Sequence, residues 1–314
     1  MAVARYLSPV FSSDHPGKPK SGSHPNKPKA GLPGTPAYRG RLAPSPTGYL
    51  HLGHARTFWI AYQRAVAHTG TLVLRNEDLD RQRCQAAYVA AFLEDLRWFG
   101  MQWQEGPDVG GPYAPYSQSE RRGYYAAAWK TLYEAGLIYP CICSRKDLAE
   151  SAQAPHEPND EPLYSGRCRG RRLAASDPAG VNWRFRVPDG RVIRFHDLAQ
   201  GEQQFTAGKD FGDFVIWRRD DVPAYQLAVM VDDAAMKISE VVRGCDLLKS
   251  TARQILLYEA LGAAPPAWYH CDLLSDQAGV RLAKRHDALS LRFLRESGST
   301  PERLREGWGG FPVP

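Results

Sequence analysis

The sequence predicts an α/β protein in which a Rossmann-like parallel sheet carries a nucleotide site, with a small metal-binding insertion and a disordered N-terminal tail. A strand at residues 38–43, an apolar-periodic helix at 51–67 and a strand at 71–75 predict the sheet. This order forms a βαβ unit, whose ligand crevice lies beyond the carboxyl ends of its strands. The insertion is predicted where the α/β alternation stops at Pro140 and cysteines follow.

The N-terminal tail, residues 1–37, consists from His15 to Pro36 almost wholly of Pro, Gly, Ser, Lys and Asn. Such a composition buries too little apolar surface to offset the entropy lost on ordering, so the tail is predicted to be disordered. It carries +4 of the net charge of +6, which leaves +2 for the rest of the chain. Basicity alone is therefore no argument for a nucleic-acid partner; a weak electrostatic hold on RNA is the alternative to a simply solvated tail.

The folded sequence is predicted in three parts. Residues 38–139 form the first half of the α/β domain, residues 140–210 the insertion, and residues 211–314 the second half with short C-terminal helices. Beyond the first βαβ unit, helices are predicted at 85–99, 121–135, 225–231 and 247–261, and strands at 183–187, 192–196, 214–218, 240–243 and 268–271.

The sequence argues against two classes of protein, membrane-spanning or exported proteins and proteins built on a disulfide framework. No run approaches the roughly 18–20 apolar residues that cross a bilayer, and the first residues lack an apolar core long enough for export, so a cytoplasmic location is expected. The protein is also expected to be a monomer. The chain holds six cysteines, two of them separated by a single residue at Cys141 and Cys143. In a chain of this length that spacing favours metal ligands over a disulfide framework.

A short motif of two histidines and a glycine, His51, Gly53 and His54, opens the first helix. A helix N-terminus offers free N–H groups and partial positive charge, glycine lets phosphate approach the backbone, and imidazoles can stabilise charge at an α-phosphate. The motif therefore predicts an ATP site in which His51 and His54 are catalytic. Because short motifs also occur by chance, the alternative is a histidine pair that only caps the helix.

Segments on both sides of this motif resemble the glutamyl/glutaminyl subclass of class I aminoacyl-tRNA synthetases. They are the stretch 41–54, the acidic segment 75–80, and the later segments 225–233 and 240–247. The resemblance implies a catalytic domain with a HIGH-type ATP motif. It also implies that L-glutamate is bound by Arg41, Ser45, Glu77, Tyr225 and Arg243.

The charges of these residues agree with a glutamate ligand. A zwitterion needs an anion for its ammonium group, which Glu77 provides, and cations for its carboxylates, which Arg41 and Arg243 provide. An arginine that reaches the side-chain carboxylate would select glutamate over glutamine, which lacks the second negative charge. The alternatives are a structural ion pair between Arg41 and Glu77 and ordinary helix packing for Tyr225.

Residues 281–285, Arg-Leu-Ala-Lys-Arg, stand where the family carries its lysine-rich KMSKS loop. Lys284 is retained, and it is expected to bind ATP and to neutralise phosphate charge during catalysis. The sequence departs from the family at Arg281, in place of the first lysine, and at Ala283, in place of the serine. Mg²⁺ is expected with ATP, although no motif identifies its ligands.

The insertion supplies three candidate thiolate ligands, Cys141, Cys143 and Cys168. A structural zinc ion normally takes four ligands, and the residues alone leave His156 and Tyr164 as candidates for the fourth. The pattern Cys-x-Cys followed by Tyr-x-x-x-Cys resembles that of truncated paralogues within the family. That resemblance implies a structural Zn²⁺ held by the cysteines and Tyr164; reduced cysteines without metal are the alternative.

The resemblance covers the chain from Tyr38 to about Ser290 and does not extend to the anticodon-binding domains of full-length synthetases. In this the chain resembles the truncated paralogues, which activate L-glutamate with ATP and attach it to queuosine, the modified wobble nucleoside of tRNA(Asp). The implied partners are L-glutamate, ATP and queuosine-bearing tRNA(Asp). No nucleophilic side chain is needed, because the glutamate carboxylate attacks the α-phosphate and a queuosine hydroxyl captures the adenylate.

Three alternatives remain at this level. The chain could be an ordinary glutamate–tRNA ligase acting on the tRNA 3′ end, or a tRNA-binding paralogue without activity, for which Ala283 is an argument. It could also be another nucleotidyltransferase with the same histidine motif, such as a cytidylyl- or pantothenate-forming enzyme. The last class has no need of the residues predicted here to bind glutamate.

Overall fold

The computed structural model describes residues 37–144, 163–274, 290–306 and 308. Several predictions concern residues outside these ranges: disorder of residues 1–36, the lysine-rich loop with Arg281, Ala283 and Lys284, and His156 as a zinc ligand.

Ten strands and seven α-helices lie within the described residues. Strands β1 to β10 span Arg39–Leu42, Thr71–Leu74, Ile138–Cys141, Asn182–Phe185, Val192–Asp197, Gly201–Thr206, Phe214–Arg218, Val222–Pro223, Glu240–Gly244 and Ala267–Cys271. Helices α1 to α7 span Leu52–Ala67, Ala86–Trp98, Arg122–Glu134, Tyr225–Ala235, Leu248–Ala260, Leu291–Glu296 and Pro301–Arg305.

The predicted βαβ unit is present. β1 and β2 pair in parallel, with Arg41 opposite Val73, and α1 joins them. The chain turns tightly into β2 at Gly70, where an added Cβ would lie 2.6 Å from the carbonyl oxygen of Tyr38. Only glycine fits this approach, so the short connection between α1 and β2 depends on it.

A second parallel pair, β9 and β10, is joined by α5 in the same way. Its strands continue the first unit, since the N–H of Ser239 just before β9 donates to the Arg39 carbonyl of β1 at 2.9 Å. The carboxyl ends of β1, β2, β9 and β10 thus lie at one edge. Ligands in α/β proteins bind at such an edge.

An antiparallel sheet, in the order β3-β4-β7-β8, packs beside this core. β7 lies beyond residue 210 in the chain, yet it pairs with β4 of the predicted insertion. Conversely, β5 from the predicted insertion lies in the sheet with β9 and β10, with β6 at its outer edge. The pairing partners are long-range, so strand periodicity alone does not assign a strand to a sheet.

Three strands of the described residues have no counterpart among the predicted elements: β3, β6 and the two-residue β8. β6 reads Gly-Glu-Gln-Gln-Phe-Thr, and as an edge strand it needs no apolar alternation. β3 contains Pro140, which argues against a strand from sequence and is accommodated where the sheet ends. None of the helices in the described part of the chain combines the length and apolar character needed to cross a bilayer.

Candidate active site and metal centre

Two adjoining cavities open at the carboxyl edge of the parallel strands. The larger has a volume of about 760 Å³, and the smaller has a volume of about 210 Å³. Ala43, His51, His54 and Phe58 line both, so the histidine motif stands at their junction. Pockets for drug-sized ligands measure about 300–1,000 Å³, so the larger cavity falls within this range and the smaller lies below it.

The histidine motif forms the N-terminus of α1. His51 is the N-cap residue, and its Nδ1 accepts a hydrogen bond from the Gly53 N–H at 3.1 Å. The rings of His51 and His54 stack with their centroids 3.7 Å apart. A Cβ on Gly53 would lie 3.0 Å from Cε1 of His51, so glycine makes room for the capping ring as well as for an approaching ligand. His51 therefore caps the helix, and both imidazoles line both cavities.

The larger cavity is closed on one side by the segment that begins at Ser290. The Leu291 N–H donates to the Leu50 carbonyl at 2.7 Å, which fixes this segment against the loop before α1. Arg292, which also pairs with Glu94 at 2.8 Å, lines the same cavity, as does Glu296. The arrangement can receive an anionic ligand at a helix N-terminus.

The smaller cavity holds the predicted glutamate-binding residues except Ser45. It is lined by Arg41, Glu77, Tyr225 and Arg243. Ser45 lies on the wall of the larger cavity instead. Lys284 is outside the described residues, but the described residues that flank its segment, Leu274 and Ser290, line the two cavities.

Arg41 and Glu77 enter the smaller cavity from adjacent strands, but they do not pair with each other. Nη1 of Arg41 donates to the Val242 carbonyl at 2.8 Å, while Oε1 of Glu77 accepts from Nη2 of Arg75 at 3.0 Å. Burial raises the pKa of the Glu77 carboxyl, and the nearby charges of Arg75 and Arg41 only partly oppose it. A ligand ammonium group close to Glu77 would favour the ionised carboxylate and so oppose the effect of burial on its pKa.

Tyr225 and Arg243 form the opposite wall. Nη1 of Arg243 lies 3.4 Å from the Tyr225 hydroxyl, and the guanidinium is packed over the Trp268 ring at 5.0 Å. Arg243 is 4% exposed, whereas Tyr225 is 40% exposed toward the cavity. Arg41 and Arg243 can thus meet the two carboxylates of a dicarboxylic amino acid and Glu77 its ammonium group, while two further carboxylates, Asp246 and Asp272, also line the cavity.

A buried ionic network lies behind this wall, and the sequence analysis did not predict it. Nη1 of Arg75 donates to Oδ1 of Asp233 at 2.6 Å, and Nε of Arg121 donates to Oδ1 of Asp232 at 2.6 Å. Both aspartates are fully buried within the apolar helix α4. That pattern was a usable signal, because buried carboxylates in an apolar helix require cationic partners. Asp233 also lies 3.5 Å from Nε of Arg41, and Arg75 in turn holds Glu77.

The three cysteines of the insertion come together as predicted. The sulfur atoms of Cys141, Cys143 and Cys168 all lie within 4.8 Å of one another. The Tyr164 hydroxyl lies 3.5 Å from the Cys141 sulfur and 3.6 Å from the Cys143 sulfur. Ligand atoms about 3.7 Å apart fit a tetrahedron with metal–sulfur bonds of about 2.3 Å. Three of the distances in this cluster, including 3.6 Å between the Cys143 and Cys168 sulfur atoms, are close to that value, so the cluster can hold a metal ion.

Two further features favour anionic sulfur in this cluster. Burial alone would raise the pKa of the Cys168 thiol, but hydrogen bonds from Tyr164 and the Ile142 N–H lower it to about 7. Nε of buried Arg184 donates to the Cys141 sulfur at 3.3 Å, and its guanidinium covers the Tyr164 ring at 4.0 Å. Arg184 thereby offsets the negative charge that thiolate ligands bring to a metal.

Comparison with known proteins places these features in a family. Residues 37–311 match the family described as the catalytic domain of class I tRNA synthetases (E and Q). The chain is 49% identical over 271 residues to "Glutamyl-Q tRNA(Asp) synthetase" of Symbiobacterium thermophilum, covering 84% of this chain and 83% of that protein. It is 46% identical over 272 residues to "Glutamate--tRNA ligase 2" of Acidithiobacillus ferrooxidans, covering 85% of this chain and 56% of that protein.

Among solved structures, the glutamate-tRNA synthetase from Elizabethkingia anophelis is similar, with a TM-score of 0.70 and 32% identity. The match covers 80% of this chain and 53% of that protein, so the chain spans about half of its length.

Proposed function

The chain belongs to the class I tRNA synthetases (E and Q) through its catalytic domain, and we propose that it is an ATP-dependent ligase for L-glutamate. It forms glutamyl-adenylate, and a hydroxyl of queuosine at the wobble position of tRNA(Asp) then attacks the acyl carbon, with AMP as the leaving group. The name of the relative from Symbiobacterium thermophilum, which the chain matches over 83% of its length, supports this acceptor. The observation that carries the activation step is the small cavity with Arg41, Glu77 and Arg243 beside the histidine pair.

In the proposed reaction the cavity holds glutamate by its charges. Glu77 accepts the ammonium group, Arg243 pairs with the side-chain carboxylate, and Arg41 keeps the α-carboxylate turned toward the larger cavity. The α-carboxylate attacks the α-phosphorus of ATP, and pyrophosphate leaves with the electrons of the broken P–O bond. His51 and His54 stabilise the charge that builds on the α-phosphate oxygens, and Lys284 is proposed to assist, with Mg²⁺ accompanying the nucleotide.

The activation step is tested by glutamate-dependent exchange of labelled pyrophosphate into ATP. We expect exchange with glutamate and little with aspartate or glutamine, because only glutamate places a second carboxylate at Arg243. The absence of exchange with every amino acid would rule out the ligase and leave a tRNA-binding protein.

The acceptor is tested separately, because the match to glutamate–tRNA ligases supports a second candidate, charging of the tRNA 3′ end. Radiolabelled glutamate is offered with tRNA(Asp) that carries queuosine, with tRNA(Asp) that lacks it, and with unmodified tRNA(Glu). Label on queuosine-bearing tRNA(Asp) alone supports the proposal. Equal labelling of unmodified tRNA(Glu) would identify an ordinary glutamate–tRNA ligase.

Glu77 gives the activation step a defined pH dependence. Burial raises the pKa of this carboxyl, and only its ionised form attracts the ammonium group of glutamate. As the pH falls through that raised pKa, kcat/KM for glutamate is therefore expected to fall, which steady-state exchange measured across mildly acidic pH will detect. The side-chain carboxylate of glutamate, with a pKa of about 4.3, titrates below this range.

The control is Glu77→Gln, whose amide does not titrate. We expect a low kcat/KM without the acidic decline seen in the parent. An equally steep decline in this variant would assign the titration to another group.

The cysteine cluster is proposed to hold one structural Zn²⁺ through Cys141, Cys143, Tyr164 and Cys168, which fixes the insertion sheet beside the active site. We expect Tyr164→Phe to weaken zinc retention about 10- to 100-fold, since it removes one ligand and a hydrogen bond to Cys168. Competition with a chromophoric chelator measures the change.

Tyr133→Phe is the matched control, because the Tyr133 hydroxyl donates to the Leu173 carbonyl at 2.9 Å and belongs to no cluster of cysteines. A parallel His156→Ala variant tests the other candidate ligand. Zinc loss in His156→Ala together with full retention in Tyr164→Phe would reverse the assignment.

A further inference from the structure

One histidine outside the ATP motif lies directly behind the glutamate cavity. His270 on β10 has no exposed surface, and it is held between an acid and an arginine. Its Nδ1 lies 2.5 Å from Oδ2 of Asp197 on β5, and its Nε2 lies 3.1 Å from Nε of Arg243 on β9. The three strands β5, β10 and β9 are neighbours in one sheet, so the sheet itself sets these distances.

The hydrogen bonds of Asp197 fix the orientation of its carboxylate group. Its Oδ1 accepts three backbone N–H groups, those of Ala199 at 3.0 Å, Gln200 at 2.9 Å and His270 at 3.1 Å. Hydrogen bonds from His270 and from the backbone outweigh burial and lower the pKa of the Asp197 carboxyl, so it is ionised and can only accept. Oδ2 therefore receives a proton from Nδ1 of His270.

This contact fixes the tautomer of His270. Burial, together with the charges of Arg243 and Arg41, lowers the pKa of the imidazole despite Asp197, so the ring is neutral. With its single proton on Nδ1, the ring leaves a lone pair on Nε2, and the Nε–H of Arg243 donates to it. The Thr251 hydroxyl also lies 3.1 Å from Nε2.

The other donors of Arg243 are equally constrained. Nη2 donates to Oγ1 of Thr251 on α5 at 2.7 Å, which completes the contacts along the inner edge of the guanidinium. Nη1 is left on the cavity side, next to the Tyr225 hydroxyl. Nε and Nη2 of the planar guanidinium are thus held by the protein, whereas Nη1 faces the cavity, where a carboxylate would bind.

We propose that Asp197 and His270 are positioning residues that hold Arg243 in the orientation required to bind the side-chain carboxylate of glutamate, and so contribute to the rejection of glutamine. The proposal rests on the proposed function, because it takes glutamate as the ligand of the small cavity. Its physical basis is that an arginine pre-ordered by hydrogen bonds loses less rotamer entropy on binding.

Asp197→Asn tests the proposal with an isosteric change. The three backbone N–H groups retain the amide oxygen at the Oδ1 position, which forces the NH₂ group to face Nδ1 of His270. The imidazole must then accept at Nδ1 and carry its proton on Nε2, where it meets the Nε–H of Arg243 donor to donor.

We expect the variant to raise the KM for glutamate in pyrophosphate exchange about 10- to 100-fold, the range seen when outer hydrogen-bond partners of metal-bound ligands are removed. The kcat should change less, and the preference for glutamate over glutamine should narrow. Asp95→Asn is the control, because Asp95 is an equally buried carboxylate on α2 outside both cavities.

His270→Gln provides the rescue test, since the Gln oxygen can replace Nε2 as the acceptor for Arg243, whereas His270→Leu cannot supply one. We expect a smaller rise in KM for His270→Gln than for His270→Leu. Equal effects of the two variants, or an Asp197→Asn variant with the glutamate KM and selectivity of the parent, would overturn the proposal.

Nitrogen NMR of ¹⁵N-histidine-labelled protein gives a readout that does not depend on activity. The His270 signals, identified by their loss in His270→Gln, should show the neutral Nδ1–H tautomer in the parent and Nε2–H in Asp197→Asn. A parent ring protonated on Nε2 would overturn the proposal even if Asp197→Asn did not fold. Absence of glutamate exchange in the parent, with Nδ1–H observed, would instead sink the proposed function.

Discussion

Replacement of Arg243 by methionine is expected to lower kcat/KM for glutamate in pyrophosphate exchange by about 10²- to 10³-fold. Removal of one partner from a buried, hydrogen-bonded charge pair costs about 2–5 kcal/mol, and each 1.36 kcal/mol is about tenfold in rate. The loss should fall mainly on KM, because Arg243 contacts the far end of the substrate and not the reacting carboxylate. Activity toward glutamine, already low, should change little, so selectivity collapses.

Two companion variants separate recognition from folding. Arg243→Lys keeps the charge but not the planar fork, and a lysine cannot satisfy both His270 and Thr251, so we expect only partial recovery. Arg194→Met is the control, since the Nε of Arg194 also donates to one neighbour, Gln204, but on an exposed strand face. Unchanged selectivity in Arg243→Met, with normal thermal unfolding, would show that another group recognises the side-chain carboxylate.

The α/β elements were predictable because each carries its own pattern. The helix 51–67 and the strands on either side of it were predicted within two residues of their observed limits, since apolar periodicity is a local property. Sheet membership was not predictable in this way. β7 looks like any buried strand in the sequence, and only its long-range pairing with β4 places it in the antiparallel sheet.

The same contrast between local patterns and long-range contacts applies to the candidate site. Arg41, Glu77, Tyr225 and Arg243 were predicted from family motifs, and the structure gathers them around one cavity. The residues that support them were not predicted: Asp233 ends the segment 225–233 but was given no role, and Asp197 lies in none of the motif segments. Their significance depends on burial and on partners more than 70 residues away in the chain, as in the contact between Asp197 and His270.

Ser45 shows that a family motif does not by itself place a residue in the predicted binding cavity. Its position in the sequence follows Arg41 closely, and the family assigns both to glutamate. The chain leaves β1 at Leu42, however, so Ser45 lies in the loop that borders the larger cavity. A serine there is placed to contact a ligand that bridges the two cavities, and its role in glutamate binding stays a prediction.

Replacement of His54 by alanine is expected to lower kcat for glutamate-dependent exchange by about 10²- to 10³-fold, the loss typical of removing one donor that stabilises transition-state charge. The KM for glutamate should rise far less, because the pocket cations and Glu77 remain. His68→Ala is the matched control: His68 caps the opposite end of the same helix and stacks on Tyr38 at 4.7 Å, away from both cavities. Equal losses in the two variants would indicate a general effect on α1.

His51 requires a different substitution, because its ring also caps α1 through the Gly53 N–H. Asparagine keeps an N-cap acceptor while removing the imidazole, so His51→Asn should reduce kcat with little change in thermal unfolding. The two rings stack at 3.7 Å at the junction of the cavities, and groups that act on one charge are not additive in their effects. We therefore expect the double variant to lose much less than the product of the single losses. Fully multiplicative losses would mean that the histidines act at separate points of the nucleotide.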